Sequence, residues 1–245
     1  MFQKMMTGAL IAGGAAGLLA VLLHFAFVQT YILLGERYES GEVVHFQNAT
    51  HAAADTAHAH ADPAVAPTTH EHQPAATGDS ALSRDALTVA FTVLIYVAYA
   101  MLLTTGFAIA GQFGLRIGAA EGALWGLAGF AAFQLAPAMG LAPELPGTIA
   151  ADLGARQVWW WSTVVATGAG LALLAYGRTL LFAVLGVALL AAPHWIGAPD
   201  LGEYFGYAPP EIGAAFSARV LGVGLAVWVA LGWLAGRLWT RGAGA

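Results

Sequence analysis

Imidazole side chains are concentrated in one short stretch of this sequence, HAAADTAHAHADPAVAPTTHEHQ, which covers residues 51–73. Within it, His58 with His60 and His70 with His72 form two pairs at i, i+2 spacing. In an extended segment such a pair projects to one face, so each pair can chelate one ion. Neutral imidazole suits Zn, Cu, Fe and Ni. The tract therefore predicts weak, rapidly exchanging capture of a divalent metal ion.

The alternative interpretation of this tract is a spacer rich in Ala and Pro whose histidines have no role. A long segment without apolar periodicity is expected to be disordered. Disorder is compatible with metal capture, so both interpretations stay open. Because metal binds the neutral ring, capture should weaken as the pH falls through about 6.5, the ordinary pKa of histidine.

A second group of candidate ligands lies just before this tract, in the segment YILLGERYESGEVVHF. If the preceding helix continues, Glu36 and Glu39 share one of its faces, and His45 follows six residues after Glu39. Carboxylate and imidazole groups together suit a divalent cation. The alternative is an ordinary acidic helix end in which these carboxylates pair with Arg37 or Arg84.

Two further histidines lie within or at the end of apolar runs. His24 stands among leucines and phenylalanines, where an ionisable side chain is costly and usually faces a bundle interior or a wet cavity. His194 follows Pro193, which we expect to end or kink the helix before it. Proline-interrupted apolar helices are typical of ion-binding sites inside membrane proteins. The alternatives are a hydrogen-bonded histidine at position 24 and a simple loop with an interfacial Trp195.

The elements that must position these residues are membrane-spanning helices. The chain has 245 residues, of which 59% are hydrophobic and only 9% are charged, whereas a soluble chain carries about 25% charged residues. Apolar runs of about 18 residues or more are long enough to cross a bilayer. The sequence predicts an all-α, polytopic membrane bundle of six transmembrane helices, at about 6–34, 85–110, 115–136, 156–176, 179–192 and 210–238.

This division gives three parts of the chain. Residues 1–35 form a first transmembrane helix, residues 36–84 form an extracytoplasmic, partly disordered loop that carries the histidine tract, and residues 85–245 form a five-helix bundle. Basic residues near the ends of the spans favour the cytoplasmic side, and five of the nine lie on the side of the N-terminus. We therefore expect both termini in the cytoplasm, which places all eight histidines in the outer half.

Small residues and one buried acid mark the faces on which the helices pack. Glycines recur every four residues in the third span and in pairs elsewhere, which permits close helix contact within the chain or with other membrane proteins. Glu121 lies inside the third span. We expect it to pair with Arg116 or Arg178, with an inner ligand as the alternative. Gln134, in the same span, is able to bond across helices.

Several function classes are excluded by missing motifs. There is no P-loop, no HExxH and no CxxCH pattern, and no cysteine for a disulfide or thiolate site. There is no basic patch for nucleic acid. We therefore expect neither an enzyme nor a nucleic-acid-binding protein, and no tightly bound cofactor.

Four segments in this order resemble the CbtA family of predicted cobalt transporter subunits: LLGERYE at 33–39, EGALWGLAGFAAFQLAPAMGLAPELPG at 121–147, ARQVWWWSTVVATGAGLALLAYG at 155–177 and APHWIGAP at 192–199. The resemblance covers most of the chain apart from the histidine tract. It implies cobalt uptake across the bacterial inner membrane and a small single-span partner of the CbtB type. The family is often described with five spans, whereas we count six.

The resulting hypothesis is a membrane subunit that admits Co²⁺ or Ni²⁺ from the outer side. The loop histidines would collect the ion, and Glu36, Glu39, His45, His24 and His194 would pass it into the bundle. Two rivals remain at this point: a membrane scaffold that binds another complex through its glycine stripes, and a membrane metal sensor or buffer that needs only the histidine tract.

Overall fold

The predicted all-α fold is confirmed. A computed structural model describes residues 2–45, 81–199, 202 and 205–243. Within these ranges the only strand-like pairing is an isolated antiparallel bridge between Thr148 and Gly206. The elements in chain order are α1 (Phe2–Phe27), α2 (Gln29–Glu39), α3 (Ala81–Gln112), α4 (Ala119–Phe130), a π-turn (Ala131–Leu135), α5 (Ala136–Ala138), α6 (Leu153–Tyr176), α7 (Leu180–Ile196) and α8 (Pro210–Ala243).

Four of these helices are long and apolar enough to cross a membrane, namely Met5–Phe27, Leu82–Gln112, Leu153–Tyr176 and Pro210–Thr240. The other two predicted spans correspond to shorter elements. One is the helical segment from Ala119 to Ala138, which the π-turn interrupts, and the other is α7, with 17 residues. The count of six spans therefore stays a prediction. Of the predicted outer loop, residues 46–80 lie outside the described residues.

The core of the bundle is built from α1, α3, α4 and α8, because small residues let their backbones approach closely. On α1, Ala9, Ala12 and Ala16 are completely buried. A Cβ atom at Gly17 would lie 2.7 Å from the Cα atom of Val93 on α3. Trp228 on α8 fills the centre of this core and is fully buried.

The tightest crossing joins α4 to α8 through four glycines, Gly122, Gly126, Gly232 and Gly236, which we call the glycine seam. A Cβ atom added to any of them would collide with backbone atoms of the opposite helix. The predicted role of these glycines in packing is confirmed. The face formed by these four glycines is covered within the chain, so contact with other membrane proteins through glycine stripes stays a prediction for the remaining stripes.

Helices α6 and α7 form a hairpin beside this core. Asp152 caps α6 by accepting a hydrogen bond from the Ala155 N–H (2.9 Å), and Thr179 caps α7. Among the described helices, α7 packs only on α6. The predicted helix end at Pro193 is wrong, since α7 continues to Ile196. The Pro193 ring is buried, and its carbonyl accepts hydrogen bonds from the Gly197 N–H (3.0 Å) and the Trp159 ring N–H (3.2 Å).

At one end of the bundle, α2 bends over the loops that connect the later helices. The bend is at Val28, which is buried with Leu145 and Phe216 in a small second core. A Cβ atom at Gly35 would lie 3.2 Å from the Pro146 ring, so α2 rests closely on the loop that follows α5. We call this the α2 end. It holds Glu36, Glu39, His45 and His194, while Arg116, Glu121 and Arg237 lie at the opposite end.

Candidate functional site

The carboxylates predicted as ligands on α2 do not converge. Glu36 pairs with Arg84 across 3.5 Å, which is the ordinary ion-paired helix end considered above. Glu39 is exposed, and its methylene groups face Gly147. These two side chains thus serve the contacts between α2, α3 and the neighbouring loop.

The described histidines are also separate from one another. His24 is half-buried, and its ring contacts the edge of Phe25 at 5.7 Å between centroids. His194 contacts Trp159 at 6.3 Å, and His45 is exposed. Across residues 2–45, 81–199, 202 and 205–243, no group of three or more His, Asp or Glu could hold a metal ion. The loop histidines, His58, His60, His70 and His72, lie outside the described residues.

The structure instead draws attention to the π-turn in the middle of the third predicted span. Here the Ala136 N–H donates to the Ala131 carbonyl, five residues earlier. The next residue, Pro137, has no N–H, so the carbonyl that this position would otherwise pair with, on Ala132 or Phe133, receives no hydrogen bond from it. Such π-turns inside α-helices are frequent at functional sites.

Gln134 projects from this turn into the bundle. Its side-chain oxygen is buried and accepts no hydrogen bond from a described residue. A Cβ atom at Gly224 on α8 would collide with that oxygen, so the glycine leaves the space that the amide occupies. The other end of the amide, its NH₂ group, is the donor that faces the Tyr96 oxygen. A buried oxygen without a donor is costly, which makes it a candidate ligand for a cation.

Aromatic rings surround Phe133, the residue that precedes Gln134 in the π-turn. Phe133 packs against Tyr99 at 5.4 Å, against Trp228 at 5.7 Å and against Trp160 at 6.0 Å between ring centroids. The Trp228 ring N–H is buried without a partner among the described residues. The π-turn is therefore held by rings from α3, α6 and α8, three separate helices.

A cavity of about 480 Å³ leads from the α2 end to the π-turn, and we call it the Glu144 cavity. Glu144 and Arg156 form an ion pair across 3.2 Å at its surface, and Gln157 lies beside them. Gln134 and Phe133 line the same cavity. A second cavity of about 470 Å³ under the neighbouring loops shares the Glu144–Arg156 pair.

A cavity of about 520 Å³ lies on the other side of the π-turn, and we call it the Glu121 cavity. It is mostly apolar, with Arg116, Glu121 and Tyr176 in its lining, and Phe133 lines it as well. The predicted ion pair of Glu121 with Arg116 or Arg178 is not observed among the described residues. The Glu121 carboxylate accepts the Gly118 N–H at 2.9 Å instead and so caps the start of α4.

Sequence reasoning missed Glu144 and Phe133 and gave Gln134 no more than a helix contact. A signal was present for Gln134, because it is a polar residue inside an apolar run with a proline three positions later. The same reasoning about proline-interrupted helices was applied to Pro193. The irregular helix is in fact the one that contains Pro137.

Comparison with known families relates this arrangement to a named group. The sequence profile described as "Probable cobalt transporter subunit (CbtA)" matches residues 2–240. The chain belongs to the CbtA family. Neither the curated proteins nor the solved structures contain a match to it. Membership of the CbtA family, together with the apolar helices, identifies a multi-pass membrane protein and a probable subunit of a cobalt transporter.

Proposed function

We propose that this protein admits Co²⁺ through the bacterial inner membrane as one subunit of an uptake transporter, with Ni²⁺ as the competing ion. The single observation that carries the proposal is the match to the CbtA family over residues 2–240. The described helices support it, because four of them can cross a membrane and a π-turn with a buried amide lies between them.

In this proposal the α2 end faces outward and both termini are cytoplasmic. His58, His60, His70 and His72 in the loop collect the ion, and Glu36, Glu39 and His45 receive it at the membrane surface. His24 and His194 continue the route inward. In this route the ion is passed between groups of one or two side chains, which suits rapid release.

The remaining components follow from the same hypothesis. Membrane lipids surround the bundle, and a small single-span subunit of the CbtB type completes the transporter. The ion is cargo, so no resident cofactor is required. The exposed apolar side chains of α7, among them Leu181, Val184 and Val187, offer a surface for lipid or for that subunit.

The proposal is tested by uptake of radiolabelled cobalt into cells that carry substitutions at the chromosomal locus, so that every partner subunit is present. We expect His24→Ala and His194→Ala each to reduce the initial rate of cobalt uptake severalfold. Deletion of residues 49–78 should reduce this rate only when the cobalt concentration is low. Immunoblots of membranes control for the amount of protein.

Two other outcomes have definite meanings. Uptake that is unchanged in both histidine variants contradicts the proposed route. Loss of the cobalt response on deletion of residues 49–78 alone, with normal uptake by both histidine variants, identifies a sensor or buffer rather than a transporter subunit.

A further inference from the structure

The π-turn lies between the Glu144 cavity and the Glu121 cavity. Phe133 lines both the Glu144 cavity and the Glu121 cavity, so the two are separated there by little more than this turn. From Glu121 to Gln134 the chain rises by about 20 Å at helical spacing. The turn therefore lies deep in the bundle, between an acid near each end.

We propose that the π-turn at Ala131–Leu135 is a cation site inside the membrane, with the Gln134 side-chain oxygen and the donor-free carbonyl of Ala132 or Phe133 as its ligands. The inference rests on the proposed function, which supplies the divalent ion. The Glu144 cavity is the path by which the hydrated ion reaches the turn.

The chemistry of this site suits passage rather than storage. Amide and carbonyl oxygens are harder ligands than imidazole and hold Co²⁺ less tightly than a histidine pair does. Conduction requires binding that is favourable enough to admit the ion and weak enough to release it. An oxygen site therefore belongs after the histidines that collect the ion, and Gln134, which lines the Glu144 cavity, turns its buried oxygen toward that cavity to bind the ion.

Gly224 is the positioning residue of this site. Its missing side chain leaves room for the Gln134 oxygen, since a Cβ atom there would collide with that oxygen. Gly222, two residues earlier on the same helix, has no atom within 4 Å of a Cβ position. The pair provides a matched test, because both substitutions add one methyl group to α8 and only one of them displaces the amide.

The decisive experiment compares Gly224→Ala, Gly222→Ala and Gln134→His at the chromosomal locus. We expect Gly224→Ala to lower the initial rate of radiolabelled cobalt uptake about tenfold, while Gly222→Ala leaves it unchanged. Gln134→His should lower uptake as well but for the opposite reason, since imidazole binds Co²⁺ more tightly. The purified Gln134→His protein should then retain about one Co²⁺ with nitrogen coordination in its absorption spectrum.

The outcomes separate this inference from the proposed function. Absence of cobalt uptake by the unaltered protein overturns the proposed function. Normal uptake by that protein together with equal uptake by the Gly224→Ala and Gly222→Ala variants overturns the π-turn site alone. Gln134→His protein that retains no Co²⁺ overturns it too, whatever its uptake rate, provided that its thermal unfolding matches that of the unaltered protein.

Discussion

The two halves of the helical segment Ala119–Ala138 are held in contrasting ways. The first half, α4, lies backbone to backbone against α8 along the glycine seam, where no side chain intervenes. The second half, with the π-turn, lies between two cavities, is enclosed by aromatic rings and contains a buried oxygen without a donor. The difference shows that one helical segment can combine a tightly packed part, α4, with a polar π-turn a few residues away.

The largest effect on stability is expected from a substitution in the glycine seam between α4 and α8. In Gly232→Ala the new Cβ atom would lie 2.7 Å from the Gly126 N and 2.8 Å from its Cα. Backbone atoms cannot move aside as a side chain does, so we expect a loss of about 3 kcal/mol in the free energy of unfolding. Thermal unfolding of the protein in lipid nanodiscs measures it. Gly222→Ala is the control, and equal melting temperatures for the two variants would show that the seam is not rigid.

A substitution at the π-turn should change the free energy of unfolding in the opposite direction. Pro137→Ala supplies an N–H to the carbonyl that lacks one, and a hydrogen bond contributes about 1 kcal/mol. We expect stability to hold or rise while cobalt uptake falls, because the ligand oxygen is then occupied. Pro193→Ala, which restores an N–H inside α7 and outside the π-turn, is the matched control for the change in stability. A fall in both stability and uptake for Pro137→Ala would mean that the turn is structural only.

The smallest effect concerns the surface of the Glu144 cavity. The side chains of Glu144 and Arg156 are 33% and 29% exposed, whereas those of the Arg37–Glu42 pair are 51% and 61% exposed. A double-mutant cycle with glutamine substitutions should give a coupling energy below about 1 kcal/mol for Glu144–Arg156, and a smaller one for Arg37–Glu42. Chemical unfolding at two salt concentrations measures both. If the coupling energy of Glu144–Arg156 is the same at both salt concentrations, the mouth of the cavity is not accessible to solvent.

The all-α class and the positions of the four long helices could be predicted from sequence, because membrane helices follow simple rules of length and polarity. Apolar runs locate α1, α3, α6 and α8, and the spacing of glycines locates the seam. The ends were less accurate. α3 begins at Ala81 rather than near Asp85, and α7 passes through Pro193, whose buried ring lies three residues before the end of the helix.

The candidate site was harder to predict because its ligands are not residue types that bind metals strongly. Histidine and acidic residues are recognisable in a sequence, and they drew attention to Glu36, His24 and His194. A π-turn is made by packing, since the rings of Tyr99, Trp160 and Trp228 come from three other helices. No local pattern around Gln134 specifies those neighbours.

The short helix α7 connects this protein to the thickness of its membrane. At 17 residues it is about 25 Å long, less than the hydrocarbon core of about 30 Å. In the predicted six-span arrangement α7 crosses the bilayer, so the lipid must thin around it. Since α7 packs on α6 and α6 contacts the π-turn, we expect a change in bilayer thickness to be transmitted to the centre of the protein through this hairpin.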